Sequence, residues 1–178
     1  MASARGRNLI DAVVFVRKSY GAAGVARVDA ALDPDVRALL AHPLKPDDWQ
    51  PLEVLIAYLR AAHRELAPGD DEFFRRQGFY TGQHQKARYL KMMVGTPELR
   101  AKMAPTVWRM FYDVGRLLVV GAGLAASGQI HDFPTTPELC SRFRGIWEGI
   151  ASDSERAAIA SEERCVLRGD AFCAFHVA

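Results

Sequence analysis

Residues 155–177 read Glu-Arg-Ala-Ala-Ile-Ala-Ser-Glu-Glu-Arg-Cys-Val-Leu-Arg-Gly-Asp-Ala-Phe-Cys-Ala-Phe-His-Val, and this stretch decides the fold. Two strand-like runs, 155–166 and 171–177, flank Leu167-Arg168-Gly169-Asp170, where Gly169 is free to take φ > 0 and close a hairpin. Immediately upstream, Thr136-Pro137-Glu138 supplies an N-cap, a first-position proline and a first-turn acid, which together open a helix over 136–150. Before that helix, Arg116–Val120 and Gln129–Phe133 read as two strands around the turn-rich Gly121–Gly128. The C-terminal third is therefore ββαββ.

Working outward, the rest of the chain reads as helices. Leu9, Val13, Val16 and Tyr20 line one face of a helix over 7–20, which Gly21 ends. Short helices follow over 23–31 and 34–42, the second begun by Asp33-Pro34. Asp47 is read as the cap of a helix over 48–66, with Trp49, Leu52, Leu55, Ile56, Tyr58 and Leu59 on its buried stripe. A further helix runs from about 71 to 94, in which Gly78 and Gly82 mark a bend or close packing. Thr96-Pro97-Glu98 starts the next, through about Tyr112. The expected fold class is α+β: a helical N-terminal two-thirds packed on a four-stranded antiparallel sheet. The chain is expected to be a single domain over 1–178, with 1–113 mainly helical and 114–178 holding the sheet and one helix.

Composition narrows the function. The 178 residues are 49% hydrophobic, and 23 basic against 21 acidic residues leave a net charge of +2. A phosphate-reading protein carries a larger, clustered excess, so no nucleic acid partner is expected. The longest apolar run, Leu117–Ala126, is about half the roughly 20 residues a membrane helix needs. Asp11 interrupts the N-terminal apolar stretch and argues against a signal peptide. Three cysteines are too few for a disulfide scaffold, so a cytoplasmic protein is expected.

Motifs for catalysis are absent. Gly121-Ala-Gly123-Leu-Ala-Ala126 follows a strand and matches G-x-G-x-x-A, but no helix begins there and no acidic residue closes a second strand, so no nucleotide is expected. The five histidines, at 42, 63, 84, 131 and 176, form no paired motif, and no serine sits in a nucleophile elbow. No enzymatic role is expected. No histidine stands in an arrangement that marks an axial ligand, so no haem is expected.

The cysteines carry the strongest signal. Cys140 lies in the first turns of the helix over 136–150, and Cys165 and Cys173 lie on the two strands of the last hairpin. Glu162 and Glu163 stand just before Cys165. Three thiolates and one carboxylate make a closed tetrahedral set suited to structural zinc. Buried free cysteine is also a common small core residue.

The pattern Glu162-x2-Cys165-x3-Gly169-x3-Cys173-x-Phe175, following a helix with Cys140-x4-Gly145-x3-Gly149, resembles the 4-vinyl reductase domain. It is most similar to the aromatic-sensing N-terminal domains of NtrC-type phenol and xylene regulators, and it resembles a group of myxobacterial proteins of this size. The superfamily is the ligand-binding domain shared by nitric-oxide signalling and Golgi-tethering proteins. The resemblance covers about residues 135–178. It implies a bacterial homodimer and a zinc site at Cys140, Glu162, Cys165 and Cys173. Residues three apart on a regular strand face opposite sides, so Glu162 joins Cys165 only through a bulge or twist; Glu163 is the fallback on the cysteine's own face. The sensors clamp phenol with a helical histidine and a first-strand tryptophan. Here Arg116–Val120 has no aromatic and the nearest upstream histidine is His84, so phenol specificity does not transfer.

The expected function is a stand-alone small-molecule sensor or carrier with a structural zinc. Its pocket is expected between helices and sheet, lined by Trp108, Phe111, Tyr112, His131, Phe133 and Trp147. The alternative is a protein-binding adaptor or scaffold on the same fold. Lysine is absent from the sheet region, and Arg116, Arg142, Arg144, Arg156, Arg164 and Arg168 are read as mostly terminal or solvated. An unpaired buried charge is costly, so the expected ligand is neutral, largely apolar or aromatic, with one hydroxyl meeting His131. The face of Leu9, Val13, Val16 and Tyr20 is the candidate dimer contact.

Overall fold

A computed structural model describes residues 1–89, 96–121, 127–152 and 157–177. Strand β1 (Ser3–Arg5) leads into α1 (Gly6–Ala31) and α2 (Pro34–Leu40). Strand β2 (Trp49–Pro51) precedes α3 (Leu52–Leu66), α4 (Phe73–Tyr89) and α5 (Pro97–Arg109). Strands β3 (Arg116–Val120) and β4 (Ser127–His131), helix α6 (Pro137–Ala151), and strands β5 (Ala160–Arg164) and β6 (Cys173–Val177) complete the chain. The expected α+β class is what the structure shows. The four-stranded sheet is antiparallel throughout, in the order β3-β4-β6-β5.

Local chemistry accounts for the boundaries. Gly21 does interrupt the first helix, with φ 72° inside α1, but the chain resumes helical geometry beyond it. Thr136 accepts from the Leu139 N–H at the start of α6, and Thr96 accepts from the Leu99 N–H at the start of α5. Gly169 takes φ 93° after a 3-10 turn at Val166–Arg168, closing the last hairpin. The ends of the runs predicted over 71–94 and 155–166, and the glycine-rich motif of residues 121–126, fall largely outside the described residues.

The region before α3 differs from expectation. Residues 49–51 form a strand, pairing Arg5 with Trp49 and Ser3 with Pro51. The Arg5 guanidinium lies 3.9 Å over the Trp49 ring, a cation–π contact that holds this small ribbon. Trp49 is thus 40% exposed instead of part of the buried stripe, and α3 begins at Leu52. Among the described residues no helix is long and apolar enough to cross a membrane.

Helices α4 and α6 meet backbone to backbone. A Cβ at Gly78 would stand 2.0 Å from the Arg142 carbonyl oxygen, and one at Gly82 2.4 Å from that of Ile146. On the facing helix, a Cβ at Gly145 would stand 1.9 Å from the Arg75 carbonyl oxygen, and one at Gly149 2.3 Å from that of Phe79. Two glycines one turn apart on each helix leave a smooth seam that no side chain can enter. Arg75 fixes the register with a two-pronged bond to buried Glu148, at 2.7 and 2.9 Å. The sheet lies across the other side of α6.

Two tests follow. Gly145→Ala forces a methyl group against a carbonyl that belongs to a helix, so α4 and α6 must separate. Overpacking of this kind costs about 1–3 kcal/mol or more, a fall of roughly 2–4 °C in melting temperature per kcal/mol for a chain of this size. An unchanged melting temperature would refute the seam. The second test concerns the Arg60–Glu138 pair that ties α3 to α6, at 2.8 and 3.2 Å. Burial pushes the Glu138 carboxyl up, but hydrogen bonds from Arg60, Thr136 and its own backbone outweigh this and hold it at about 2. A depressed carboxylate stabilises the fold above its ordinary value of about 4.3 and loses that contribution as pH falls toward 2. Glu138→Gln is expected to melt lower than the parent at pH 7, with the gap closing as pH falls from about 4 to about 2. Arg60 is half exposed, so the difference at pH 7 should be small.

Candidate metal centre and the aromatic interior

The last hairpin and the first turn of α6 converge on one point. The Sγ atoms of Cys140 and Cys165 are 3.5 Å apart, and those of Cys165 and Cys173 are 4.0 Å apart. With a Glu162 carboxylate oxygen added, the four donor atoms all lie within 4.8 Å of one another. A disulfide needs about 2.05 Å between sulfurs, and these three thiols are free. Ligands about 2.0–2.3 Å from a tetrahedral zinc stand about 3.3–3.8 Å apart, close to the spacing seen.

The strand geometry explains how Glu162 reaches this point. In the ladder with β6, Glu162 faces Phe175 while Arg164 faces Ala174, so one extra residue is inserted on β5. This bulge rotates the strand between Glu162 and Cys165 and brings them to one side. Glu163 is the extra residue; it is exposed and outside the cluster.

The surroundings hold each donor in place. Arg168 donates to Glu162 Oε2 at 2.9 Å, while Glu162 Oε1 is buried with no partner among the described residues. Asp170 Oδ2 accepts the Cys165 N–H at 2.8 Å and fixes the turn. The Thr135 hydroxyl lies 3.4 Å from Cys140 Sγ. Burial pushes the Cys140 thiol well above its ordinary range, with Glu162 adding to the rise, and burial likewise raises Cys173. Burial thus disfavours the thiolate forms of Cys140 and Cys173. A divalent ion held by the four donors would supply the charge that thiolates and a carboxylate need.

The six expected pocket residues are placed differently. Trp108, Phe111, Tyr112 and Phe133 are all buried. Trp108, Tyr112 and Phe133 pack on one another at 4.5–5.2 Å between ring centres, and Phe143, unnoticed in the sequence, joins all three at 5.6–5.8 Å. Trp147 covers Gly128 on β4, its ring within 2.4–2.9 Å of where a Cβ would stand. His131 is apart from these. Strand alternation buries Gly128 and Ile130 and turns His131 to the other face, where it stacks on Phe172 at 4.5 Å. The aromatic rings thus fill their space with each other. Two clefts among the described residues lie elsewhere. One, of about 370 Å³, runs along Ile10, Val13 and Val14 of α1; the other, of about 420 Å³, lies between His63, Phe74 and Ser141.

Two sequence expectations change here. Arg142, read as terminal or solvated, is fully buried at the centre of the helical layer. A charged residue in mid-helix gives no sign of this, because its partners come from α1, α4 and the segment after α5. Of the candidate dimer face, Leu9 and Val16 are buried in the chain's own core.

No protein-family model and no curated protein matches this chain. Solved structures do. The chain is similar to an unliganded Fe(II) H-NOX protein variant from K. algicida, at 10% identity over 97% of this chain and 95% of that one, with a TM-score of 0.72. It is similar to an H-NOX protein from S. oneidensis in the Fe(II)NO ligation state, at 11% identity over 98% of each chain, with a TM-score of 0.70. It is also similar to the oxygen complex of an oxygen-binding H-NOX domain related to soluble guanylate cyclases, at 14% identity over 97% and 92% of the two chains, with a TM-score of 0.66. The likeness to these H-NOX structures is one of fold.

These structures correct the expectation that haem is excluded. Others among them were determined to follow haem redox potential and haem distortion, so this is a fold that holds haem. The lack of a recognisable histidine pattern was not sufficient ground for ruling it out, since an axial ligand needs one placed residue and no motif. In the described residues His63 lies against Phe73 and Phe74 with Nε2 3.2 Å from the Asp70 carbonyl, and His84 Nδ1 is 2.8 Å from the Tyr80 carbonyl. As placed, His63 and His84 each lie at a backbone carbonyl, while Trp108, Tyr112, Phe133 and Phe143 pack on one another. What the chain shares with these proteins is the H-NOX fold.

Proposed function

We propose that this chain is a small-molecule sensor domain whose C-terminal hairpin is locked to α6 by a structural metal ion, zinc by its donor set. The fold supports the first half, since the similar structures are described with NO or oxygen as ligands. The observation that carries the second half is the convergence of Cys140, Glu162, Cys165 and Cys173, with a buried carboxylate oxygen left without a partner. All four positions are filled by protein, so the ion has no open site and its role is to hold the sheet to the helix. This arrangement agrees with the resemblance to 4-vinyl-reductase-like aromatic sensors, and with it we infer a cytoplasmic bacterial homodimer. The adaptor reading is not favoured, because the similar structures are described by the small ligands they bind.

Elemental analysis of protein purified without chelators is expected to give about one zinc per chain. Substituting cobalt should produce thiolate-to-metal charge-transfer bands. Cys173→Ser should lose metal and stability together, by several kcal/mol, or roughly 10 °C in melting temperature. Protein that holds less than a few tenths of an equivalent of any metal, or a serine variant that melts like the parent, would reject the metal centre. Light scattering checks the dimer: a monomer mass at micromolar concentration would reject it.

A further inference from the structure

Helix α1 kinks at Gly21, where φ is 72°, a value glycine adopts without strain. The chain that follows closes over the first half of α1 as a strap tied at both ends. At one end Arg37 of α2 donates to the Asp29, Ala30 and Leu32 carbonyls at 2.8, 2.7 and 3.0 Å. At the other, the Gly6 and Arg7 N–H groups donate to the Asp48 and Pro46 carbonyls at 2.8 and 3.0 Å. Between these ties the strap brings Leu40, His42 and Leu44 to the face of α1 that carries Ile10, Val13, Val14 and Arg17. Val25 and Asp29, one turn apart beyond the kink, complete the lining of the cleft of about 370 Å³. The two ties hold this space open in the folded chain, and none of its lining residues is a ligand of the candidate metal.

The walls are aliphatic throughout. Ile10, Val13, Val14, Val25, Leu40 and Leu44 are each half-buried, so each keeps apolar surface that the fold does not cover. The polar lining is one basic side chain, Arg17, one acidic, Asp29, and His42, with no cluster of one sign to select an ion. A polar group without a partner accompanies them. Tyr58 of α3 is fully buried, and its hydroxyl has no hydrogen-bond partner among the described residues. Burial pushes that hydroxyl well above its ordinary range, with Asp29 adding to the rise and Arg17 opposing it, and both of these residues line the cleft. The volume falls in the range of about 300–1,000 Å³ found for small-molecule sites. One turn of helix with its side chains fills roughly 420–610 Å³ at a diameter of 10–12 Å and a pitch of 5.4 Å, so a small molecule matches this space better than a partner helix does. We propose that the cleft under the strap is the ligand site of the sensor, and that it takes an uncharged aliphatic molecule, a medium-chain alcohol in type, whose chain lies among the six aliphatic residues and whose hydroxyl meets Tyr58. The hydroxyl contact expected at His131 is thereby relocated to the α1 cleft. This inference rests on the sensor reading and names its site and ligand class.

The test uses four probes on the full-length metal-loaded protein: 1-octanol, 1-butanol, octanoate and octylamine. In titration calorimetry 1-octanol is expected to bind at least tenfold more tightly than 1-butanol, since each buried CH₂ is worth roughly fourfold in affinity. It is also expected to bind at least tenfold more tightly than either charged probe. Backbone amide NMR shifts should centre on residues 10–17, 25–29 and 40–44. Val14→Phe, which places a ring in the cleft from a half-buried position, should abolish 1-octanol binding and keep the parental melting temperature. If that variant does not fold, Tyr58→Phe provides a second reading, with the affinity for 1-octanol reduced severalfold. The inference is overturned if the four probes bind alike, if the shifts map to the cleft at His63, or if the folded variants keep the parental affinity. It is also overturned if Val14→Phe changes the mass seen by light scattering and leaves 1-octanol binding intact, which would make the cleft a contact between copies of the chain. Binding of 1-octanol elsewhere defeats this inference alone, whereas failure of every probe and every other small molecule to bind defeats the sensor reading with it.

Discussion

The seam between α4 and α6 is the constraint on which the other features depend. Side chains normally keep helix axes 8–10 Å apart. Here Gly78 and Gly82 face Gly145 and Gly149, and each position admits the opposite backbone where a methyl group would collide. The approach is close enough for Gln83 to reach the Gly149 carbonyl at 2.8 Å across the seam. It also places Glu148 where it receives both prongs of Arg75 and the Ala160 N–H at 2.9 Å, which sets the start of β5. The position of the sheet's edge is thus inherited from a helix–helix contact made of glycine.

From that contact α6 presents different chemistry on different sides. Cys140 points to the last hairpin, and Arg142, two residues on, points into the helical layer. A helix can carry a thiol and a guanidinium this close in sequence because residues two apart diverge by about 200° around its axis. The same geometry sends Phe143 into the aromatic cluster, while the Ile146 backbone carbonyl lies in the seam with α4.

The fold was legible where the signal was local. The turn at Gly169, the Thr-Pro-Glu start of α6 and the ββαββ order are set by short-range rules, and the structure follows them. The cysteine cluster was legible because three of its four members lie on one hairpin, and the need for a bulge could be stated in advance from strand parity. The β1–β2 ribbon was not legible. It joins residues 3–5 to 49–51, and the Arg5–Trp49 stack that favours it has no local signature. His131 was assigned to the interior when a one-residue shift in strand parity sends it to the opposite face. Arg142 was read as solvated because charge is normally a surface signal, and only the chain's tertiary assembly brings Asn8, Gln77, Thr81 and Tyr112 to it.

The two unconventional sites have one physical logic. A buried charge is tolerated where a rigid frame fixes its partners, and the glycine seam with α4 gives α6 such a frame. On its hairpin side, in the proposed reading, a metal ion supplies the charge that buried thiolates and Glu162 require. On its helical side the Arg142 guanidinium is held by the neutral acceptors Gln77, Tyr112, Asn8 and Thr81. Because both sets of groups are mounted on the same helix, any movement of α6 that improves the contacts of Arg142 also displaces Cys140 relative to Cys165 and Cys173. A metal bound by those three sulfurs would resist such movement and so hold the guanidinium network in place.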